Sequence, residues 1–586
     1  MSRQKRAARQ SFLQGALLLT AGVLSVKIIG AVFKIPLTAV ISEDGMGYFS
    51  TAYSFYNVIF SLATAGFPVA VSRMVSGFEA KGRLNDAFAV KSAAGRVFAL
   101  TGVSGMLLMA LTAPLYTRAV GSPGALPAML ALSPCILFCS LMAVFRGYYE
   151  GLSDMRPTAV SQVIEAAVKL VFGLSGAYFA IRHFTAELEA SGTVLGRTVE
   201  NEGAGRLMVS SLGAAAAVLG VTLGGLLGLL YLRRYDKTQG RSGRDISVGK
   251  LRRRELTRRL IRDSLPIAVG AVAMSFSGLI DASFLQTRIA GVLREDPAPL
   301  LAMYAGRIPE ENLANLSSVP NYLFGCYNMA LTLFMLVPSL TQAIGTSALP
   351  SVTRAWVGGK KEELQNAVET VLRVTNLFAL PAGIGLSALA GPVAALLYGD
   401  RPSTQIVAAA LEIMGIAAIF AAITTPLGSM LQAVGHVELP VILVLSGLAV
   451  KIALNYILAG VPEINILGGG ISSLACYVLV TAAELIALAR VARIRFDFTG
   501  TFIKPLLAAL GCGASARFAR PFFAEFLGED RLATAAAILL AAAVYAGLLL
   551  LLRTLREEDL MQIPGGKKII KKFGKYLKND RRWGRI

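Results

Sequence analysis

Apolar and polar positions along this chain fall into long blocks, not into the short alternation of a strand or the one-faced stripe of a surface helix. Runs of about eighteen or more apolar residues, the length that carries an α-helix through a bilayer, recur along the whole chain. The first six span 11–37, 48–72, 92–114, 127–149, 158–181 and 207–232. Six more span 264–287, 321–350, 374–397, 405–432, 439–459 and 466–489, and a last pair spans 504–522 and 532–552. The pattern predicts an all-α polytopic membrane protein of about fourteen transmembrane helices. Glycines and prolines inside many runs predict kinks.

The runs divide into two sets of six that repeat one another. Pro68 and Arg73, closing the second run, recur as Pro350 and Arg354, closing the eighth. Tyr116 matches Tyr398, while Pro157 and Lys169 match Pro440 and Lys451, all at nearly the same offset. An offset of six crossings keeps orientation, so the expected architecture is two parallel, pseudo-symmetric six-helix bundles plus a C-terminal helix pair. The expected divisions are an N-terminal bundle (1–232), a basic linker (233–262), a second bundle (263–492), the helix pair (493–553) and a basic amphipathic tail (554–586).

The 57 lysines and arginines orient this plan. Twelve fall in 233–262 and eleven beyond residue 552, whereas 38–47 holds none. Cations concentrated in alternate loops place both termini in the cytoplasm. The basic N-terminus (Arg3, Lys5, Arg6, Arg9) precedes an apolar run too long for a signal peptide, so it reads as a retained first helix. In the tail, Ile569, Ile570, Phe573, Tyr576 and Leu577 recur at helical spacing among lysines, which suits a helix lying on anionic lipid.

Composition agrees. The 586 residues are 55% hydrophobic and 16% charged, more apolar than a soluble interior can hide. The net charge of +21 sits in loops and termini, which argues for lipid headgroups and against nucleic acid. Cys135, Cys139, Cys326, Cys476 and Cys512 lie in apolar sequence as small hydrophobes, and with only two histidines there is no metal-ligand spacing. No nucleophile elbow, Walker loop or His-Glu-x-x-His motif is present, so neither an enzyme nor a cofactor is expected.

Chemistry concentrates where charge enters the apolar runs. Lys27 and Lys34 are two turns apart on the first run and project from roughly one face. An ammonium near the bilayer centre costs about 2.5–3.5 kcal/mol on insertion scales, so such a pair faces a cavity or snorkels to an interface. In a cavity, paired cations suit phosphate or pyrophosphate. Asp281 on the seventh run is placed to set the charge balance of those lysines, to bind a coupling cation, or to pair with Arg288. Glu165 and Lys169, one turn apart, read as a neutralising pair. Arg146 and Glu150 read as a helix-end pair, and Lys451 either pairs with Glu484 or lines a groove. Tyr53, Asn57, Asn328 and Gln342 are candidate sugar contacts.

The run SVKIIGAVFKIPLTAVISEDGMGYFSTAYSFYNVIFSLATAGFPVAVSRMVS, with RGYYEGLSDMRPTAVSQVIEAAVKLVF and SLPIAVGAVAMSFSGLID, resembles the polysaccharide-biosynthesis branch of the multidrug/oligosaccharidyl-lipid/polysaccharide (MOP) exporter superfamily. Within it the chain is similar to the stage V sporulation protein B group and the lipid II flippases. The resemblance implies two bundles around a central cavity, with Lys27 matching a first-helix cation and Lys34 lying near a second. The second run departs from the pattern: Ile59-Phe60 stands where some flippases carry an arginine pair.

The expected function is alternating-access translocation of a polyprenyl-pyrophosphate-linked saccharide across the bacterial cytoplasmic membrane. The expected partners are that substrate, anionic lipids at the tail and cell-wall synthesis proteins. A drug/cation antiporter of the same superfamily is the alternative, and a membrane-embedded enzyme acting on lipid-linked sugars is the next.

Overall fold

A helix is the form in which each apolar run satisfies its own backbone hydrogen bonds inside lipid, and the fold is built almost wholly of helices. The computed structural model describes residues 12–64, 66–239, 250–494, 496–552 and 554, with a few helical side chains, that of Lys27 among them, outside the described set. The terminal cations Arg3–Arg9, part of the basic linker, and the tail helix expected beyond residue 554 likewise lie outside the described residues.

The chain divides into two compact units, Met1–Asn328 and Met329–Ile586. The first unit opens with α1 (Phe12–Thr64), α2 (Phe67–Ala80), α3 (Leu84–Val120), α4 (Leu126–Gly151), α5 (Arg156–Ser191) and α6 (Glu202–Thr238). It continues through α7 (Lys250–Ile280), a π-helical turn (Asp281–Leu285), α8 (Gln286–Glu295), α9 (Ala298–Met303) and α10 (Glu310–Ala314). α11 (Val319–Phe334) follows. The second unit carries α12 (Leu336–Val357), α13 (Lys361–Ala388), α14 (Ala390–Tyr398), α15 (Pro402–Ala433) and α16 (Glu438–Leu458). It ends with α17 (Leu467–Ala492), α18 (Lys504–Leu527) and α19 (Asp530–Leu551). A small hairpin pairs β1 (Thr193–Val194) with β2 (Arg197–Thr198), antiparallel, beyond the end of α5.

Among the described residues, eleven helices are long and apolar enough to cross a membrane, against the fourteen expected. Part of the difference is that the first two runs are one helix. α1 has 53 residues, about 80 Å at 1.5 Å per residue, far more than one crossing of a core about 30 Å thick. It bends at Ser42, whose φ of 63° is left-handed and rare outside glycine. The acidic turn expected at 42–45 is therefore a one-residue break. The Ser42 hydroxyl donates to the Ile41 carbonyl (2.5 Å) and shares a hydrogen bond with Ser210 Oγ (3.2 Å). α18 also falls short of a span because Lys504, Arg517, Arg520 and Glu525 interrupt it.

Within the first unit α7 packs on α1 and α3. Ser61 and Ser275 share a hydroxyl bond (2.6 Å), Gln286 Nε2 donates to Thr51 Oγ1 (2.9 Å), and Tyr116 bonds Ser283 (3.2 Å). Near the Ser42 break, α1 and α11 touch backbone to backbone. A Cβ on Gly325 would lie 1.9 Å from the Glu43 carbonyl oxygen, so only glycine fits. Asp44 is buried there, accepting from Asn312 Nδ2 (3.2 and 3.3 Å) and Asn321 Nδ2 (3.4 Å to the carboxylate). α5 and α6 approach the same way, a Cβ on Gly220 falling 2.3 Å from the Gly173 nitrogen.

In the second unit, α13, α15 and α17 bury a core that includes Leu372, Leu427, Leu431 and Leu488. Side-chain-to-backbone bonds lock it: Asn376 Nδ2 donates to the Thr501 carbonyl (2.7 Å), Thr341 to Ala422 (2.8 Å) and Tyr545 to Leu377 (3.0 Å).

Candidate functional site

The break at Ser42 faces two legs of α1 toward one place in the first unit. The first leg supplies Phe33 and Lys34. The second supplies Phe49, Tyr53, Tyr56 and Phe60, at the spacing that keeps residues on one helix face. Their rings form a continuous row, with centroids 6.1 Å apart for Phe33–Phe49, 5.0 Å for Phe49–Tyr53, 5.6 Å for Tyr53–Tyr56 and 5.5 Å for Tyr56–Phe60. Cys135 and Cys139 of α4 close the row from behind: Tyr56 donates to Cys135 Sγ (3.4 Å), and the two sulfurs are 3.6 Å apart.

Lys169 enters this row from α5. Its Nζ sits 4.7 Å from the Phe33 ring centroid and 5.1 Å from that of Tyr53, and it donates to the Tyr53 hydroxyl (3.4 Å). A desolvated ammonium over an aromatic face gains roughly 2 kcal/mol, which offsets part of its burial cost. Lys34 is near enough to act on Lys169 electrostatically. Among the described residues, neither lysine has a carboxylate within ion-pairing distance. The sequence reading paired Lys169 with Glu165, and the structure corrects it. Glu165 takes Arg146 instead, with Nη2 to Oε2 at 2.9 Å, and Arg146 Nε also donates to Ser161 Oγ (3.0 Å). Glu150, the partner expected for Arg146, accepts from Thr158 (2.9 Å). Lys169 thus lies on an aromatic wall with Lys34 nearby, and among the described residues no carboxylate pairs with either, an arrangement suited to an organic anion.

The other candidates are placed as follows. Asn57 is exposed on the second leg of α1, one turn from Tyr53. Asn328 is buried and donates to its own helix, at the Phe324 carbonyl (2.8 Å). Gln342 is exposed on α12 in the second unit. Asp281 begins the π-helical turn, is 3% exposed, and accepts from Tyr327 Oη (3.1 Å). Lys451 and Glu484 are buried in α16 and α17, and Glu484 Oε2 has no hydrogen-bond partner among the described residues. Of the sequence candidates, the structure brings together Lys34, Lys169 and Tyr53. Lys27 is on the same helix, with its side chain outside the described residues. Phe33, Phe49, Tyr56 and Phe60 were missed, although 49, 53, 56 and 60 share one helix face in the sequence itself.

Two family patterns match along the chain. That described as "Polysaccharide biosynthesis protein" covers residues 12–191, and that described as MatE covers 316–457. Over these stretches the chain is similar to proteins of the MOP superfamily. It resembles the lipid II flippase MurJ of Bacillus subtilis, 23% identical over 76% of each chain. It also resembles the stage V sporulation protein B of that organism, 24% identical over 95% of this chain and 98% of that one.

Among solved structures, an inward closed conformation of the lipid II flippase MurJ aligns with a TM-score of 0.63 at 13% identity, covering 93% of this chain and 100% of that one. An inward-facing multidrug resistance transporter of the MATE family gives 0.57 at 16% identity, over 81% and 98%. The chain is therefore a multi-pass helical membrane protein with the fold of these flippase and transporter structures. Of the proteins it resembles, one is named a lipid II flippase and another a multidrug resistance transporter.

Proposed function

We propose that this protein moves a polyprenyl-pyrophosphate-linked saccharide from the inner to the outer leaflet of the bacterial cytoplasmic membrane. One observation carries the reading: Lys169 lies over one aromatic row, Lys34 of another helix is near enough to act on it, and neither has a carboxylate within ion-pairing distance among the described residues. A diphosphate supplies the missing negative charge, and charge-assisted hydrogen bonds to it are worth about 1.5–3 kcal/mol each. The aromatic faces offer surface for sugar rings or the first isoprene units. Lys27, two turns before Lys34, would extend the cationic strip, and exposed Asn57 would meet the sugar. Likeness to a lipid II flippase and to a sporulation protein supports a cell-wall precursor as cargo.

Both termini would lie in the cytoplasm, where the cation-rich loops place them, with the basic tail on anionic lipid and cell-wall synthesis proteins nearby. With no nucleotide motif in the sequence, the membrane potential or an ion gradient would reset the carrier. A cation antiporter would need an unpaired acid in this row, and Glu165 is already held by Arg146.

The test is transbilayer movement of a fluorescent undecaprenyl-pyrophosphate-linked saccharide in proteoliposomes of the full-length protein. Wild type should move it, and Lys34→Ala and Lys169→Ala should each slow it at least tenfold. Equal rates in wild type and in the double variant would overturn the reading.

A further inference from the structure

The appended helix pair builds a second polar site, far along the sequence from the lysines of α1 and α5. A cavity of about 360 Å³ opens where the end of α14 and the start of α15 meet the end of α18 and the start of α19. That volume lies within the range of small-ligand sites, about 300–1,000 Å³. Its walls divide by chemistry. Pro392, Leu396 and Ala408 give it an apolar side, while Asp400, Arg520, Asp530 and Arg531 give it a charged one.

The charged groups are only partly used. Arg520 Nη2 binds Asp530 (2.6 Å), which leaves the Arg520 Nε buried with no acceptor. Arg531 and Asp400 form no hydrogen bond or ion pair among the described residues, although both line the cavity. What remains free is one guanidinium, one N–H donor and one carboxylate. A simple anion would satisfy the first two and meet repulsion from Asp400; a simple cation would do the reverse. A zwitterion satisfies all three. Beside it Phe518, Phe522 and Phe526 of α18 are 66–79% exposed, an apolar face suited to acyl chains.

We propose that this cavity binds the headgroup of a phosphoethanolamine lipid. The phosphate would lie against Arg531 and the Arg520 Nε–H, the ammonium against Asp400, and the glycerol stem along Pro392 and Leu396. The site is independent of the transport reading, since it uses none of the residues of that site.

Native mass spectrometry of the full-length protein in detergent micelles tests it, with phosphatidylethanolamine and phosphatidylglycerol of identical acyl chains added in turn. Wild type should retain the ethanolamine lipid in clear preference. Arg531→Gln should lower that retention about tenfold, the loss of one charge-assisted hydrogen bond. Asp400→Asn should erase or reverse the preference, because it removes the ammonium's partner and leaves the phosphate's. Both side chains are exposed, so neither substitution disturbs a buried core. Equal retention of the two lipids by wild type would overturn the proposal, as would unchanged selectivity in Asp400→Asn. Displacement of bound lipid by millimolar inorganic phosphate would overturn it too, by assigning the cavity to a free anion.

Discussion

Arg146 of α4 holds Glu165 of α5 at 2.9 Å, and in doing so leaves Lys169, one turn further along α5, without a carboxylate. The consequence is measurable as coupling. In a double-mutant cycle on thermal or denaturant unfolding, Arg146→Gln and Glu165→Gln should show about 1–2 kcal/mol of interaction, since both side chains are mostly buried. Lys169→Met and Glu165→Gln should be additive within about 0.5 kcal/mol. Strong coupling of Glu165 to Lys169 instead would restore the local pair suggested by their spacing.

Tyr53 offers Lys169 a ring and a hydroxyl, and the ring should matter more, because the hydrogen bond is long at 3.4 Å. Tyr53→Phe keeps the ring and should reduce transport no more than about threefold. Tyr53→Leu removes it and should cost about tenfold, on the order of 1–2 kcal/mol of cation–π stabilisation. Initial rates of substrate movement in proteoliposomes distinguish the two, and equal losses would show that the hydroxyl carries the effect.

Gly325 permits α11 to lie on the Glu43 carbonyl of α1. Gly325→Ala should force the two backbones apart, at about 1–3 kcal/mol. The neighbouring Cys326, fully buried in the first unit, reports this directly. It should resist a membrane-permeant maleimide in wild type and label readily in Gly325→Ala. A protected Cys326 in the variant would mean the helices absorb the methyl group without separating.

Lys91 of α3 is bound to Asp236 of α6, which also accepts from Tyr149 Oη (2.8 Å), and the rings of Phe88, Phe145 and Tyr148 surround the ammonium. With both ions at most 10% exposed, Asp236→Asn should destabilise the protein by about 3 kcal/mol, since it strands a buried charge. The double variant Lys91→Met, Asp236→Leu should recover most of that loss. Fluorescence-detected thermal unfolding in detergent would show whether it does.

The polytopic helical class was legible because lipid imposes a blunt rule, long apolar runs, although eleven candidate spans stand among the described residues against fourteen expected. Places where a tertiary contact outbids a local one were not legible. The run Ser42-Glu43-Asp44-Gly45 reads as an exposed turn by polarity, yet Asp44 is buried and takes its hydrogen bonds from Asn312 and Asn321, more than 260 residues away. Glu165 and Lys169 obey the one-turn spacing of an ion pair, but a guanidinium from α4 reaches the carboxylate first. Lys34 and Tyr53 were found from the sequence as an intramembrane charge and a polar aromatic. Their convergence with Lys169 depends on a bend at one serine that no composition signals.

That bend has a mechanical meaning. Two crossings of a membrane are commonly joined by a loop, and a loop is slack: one crossing can tilt without pulling the other. Here Ser42 alone separates the leg bearing Phe33 and Lys34 from the leg bearing Phe49 and Tyr53, so a tilt of one would be passed to the other with little slack. On the proposed reading those legs are two walls of one site, so a coupled tilt would open or narrow the space beside the lysines.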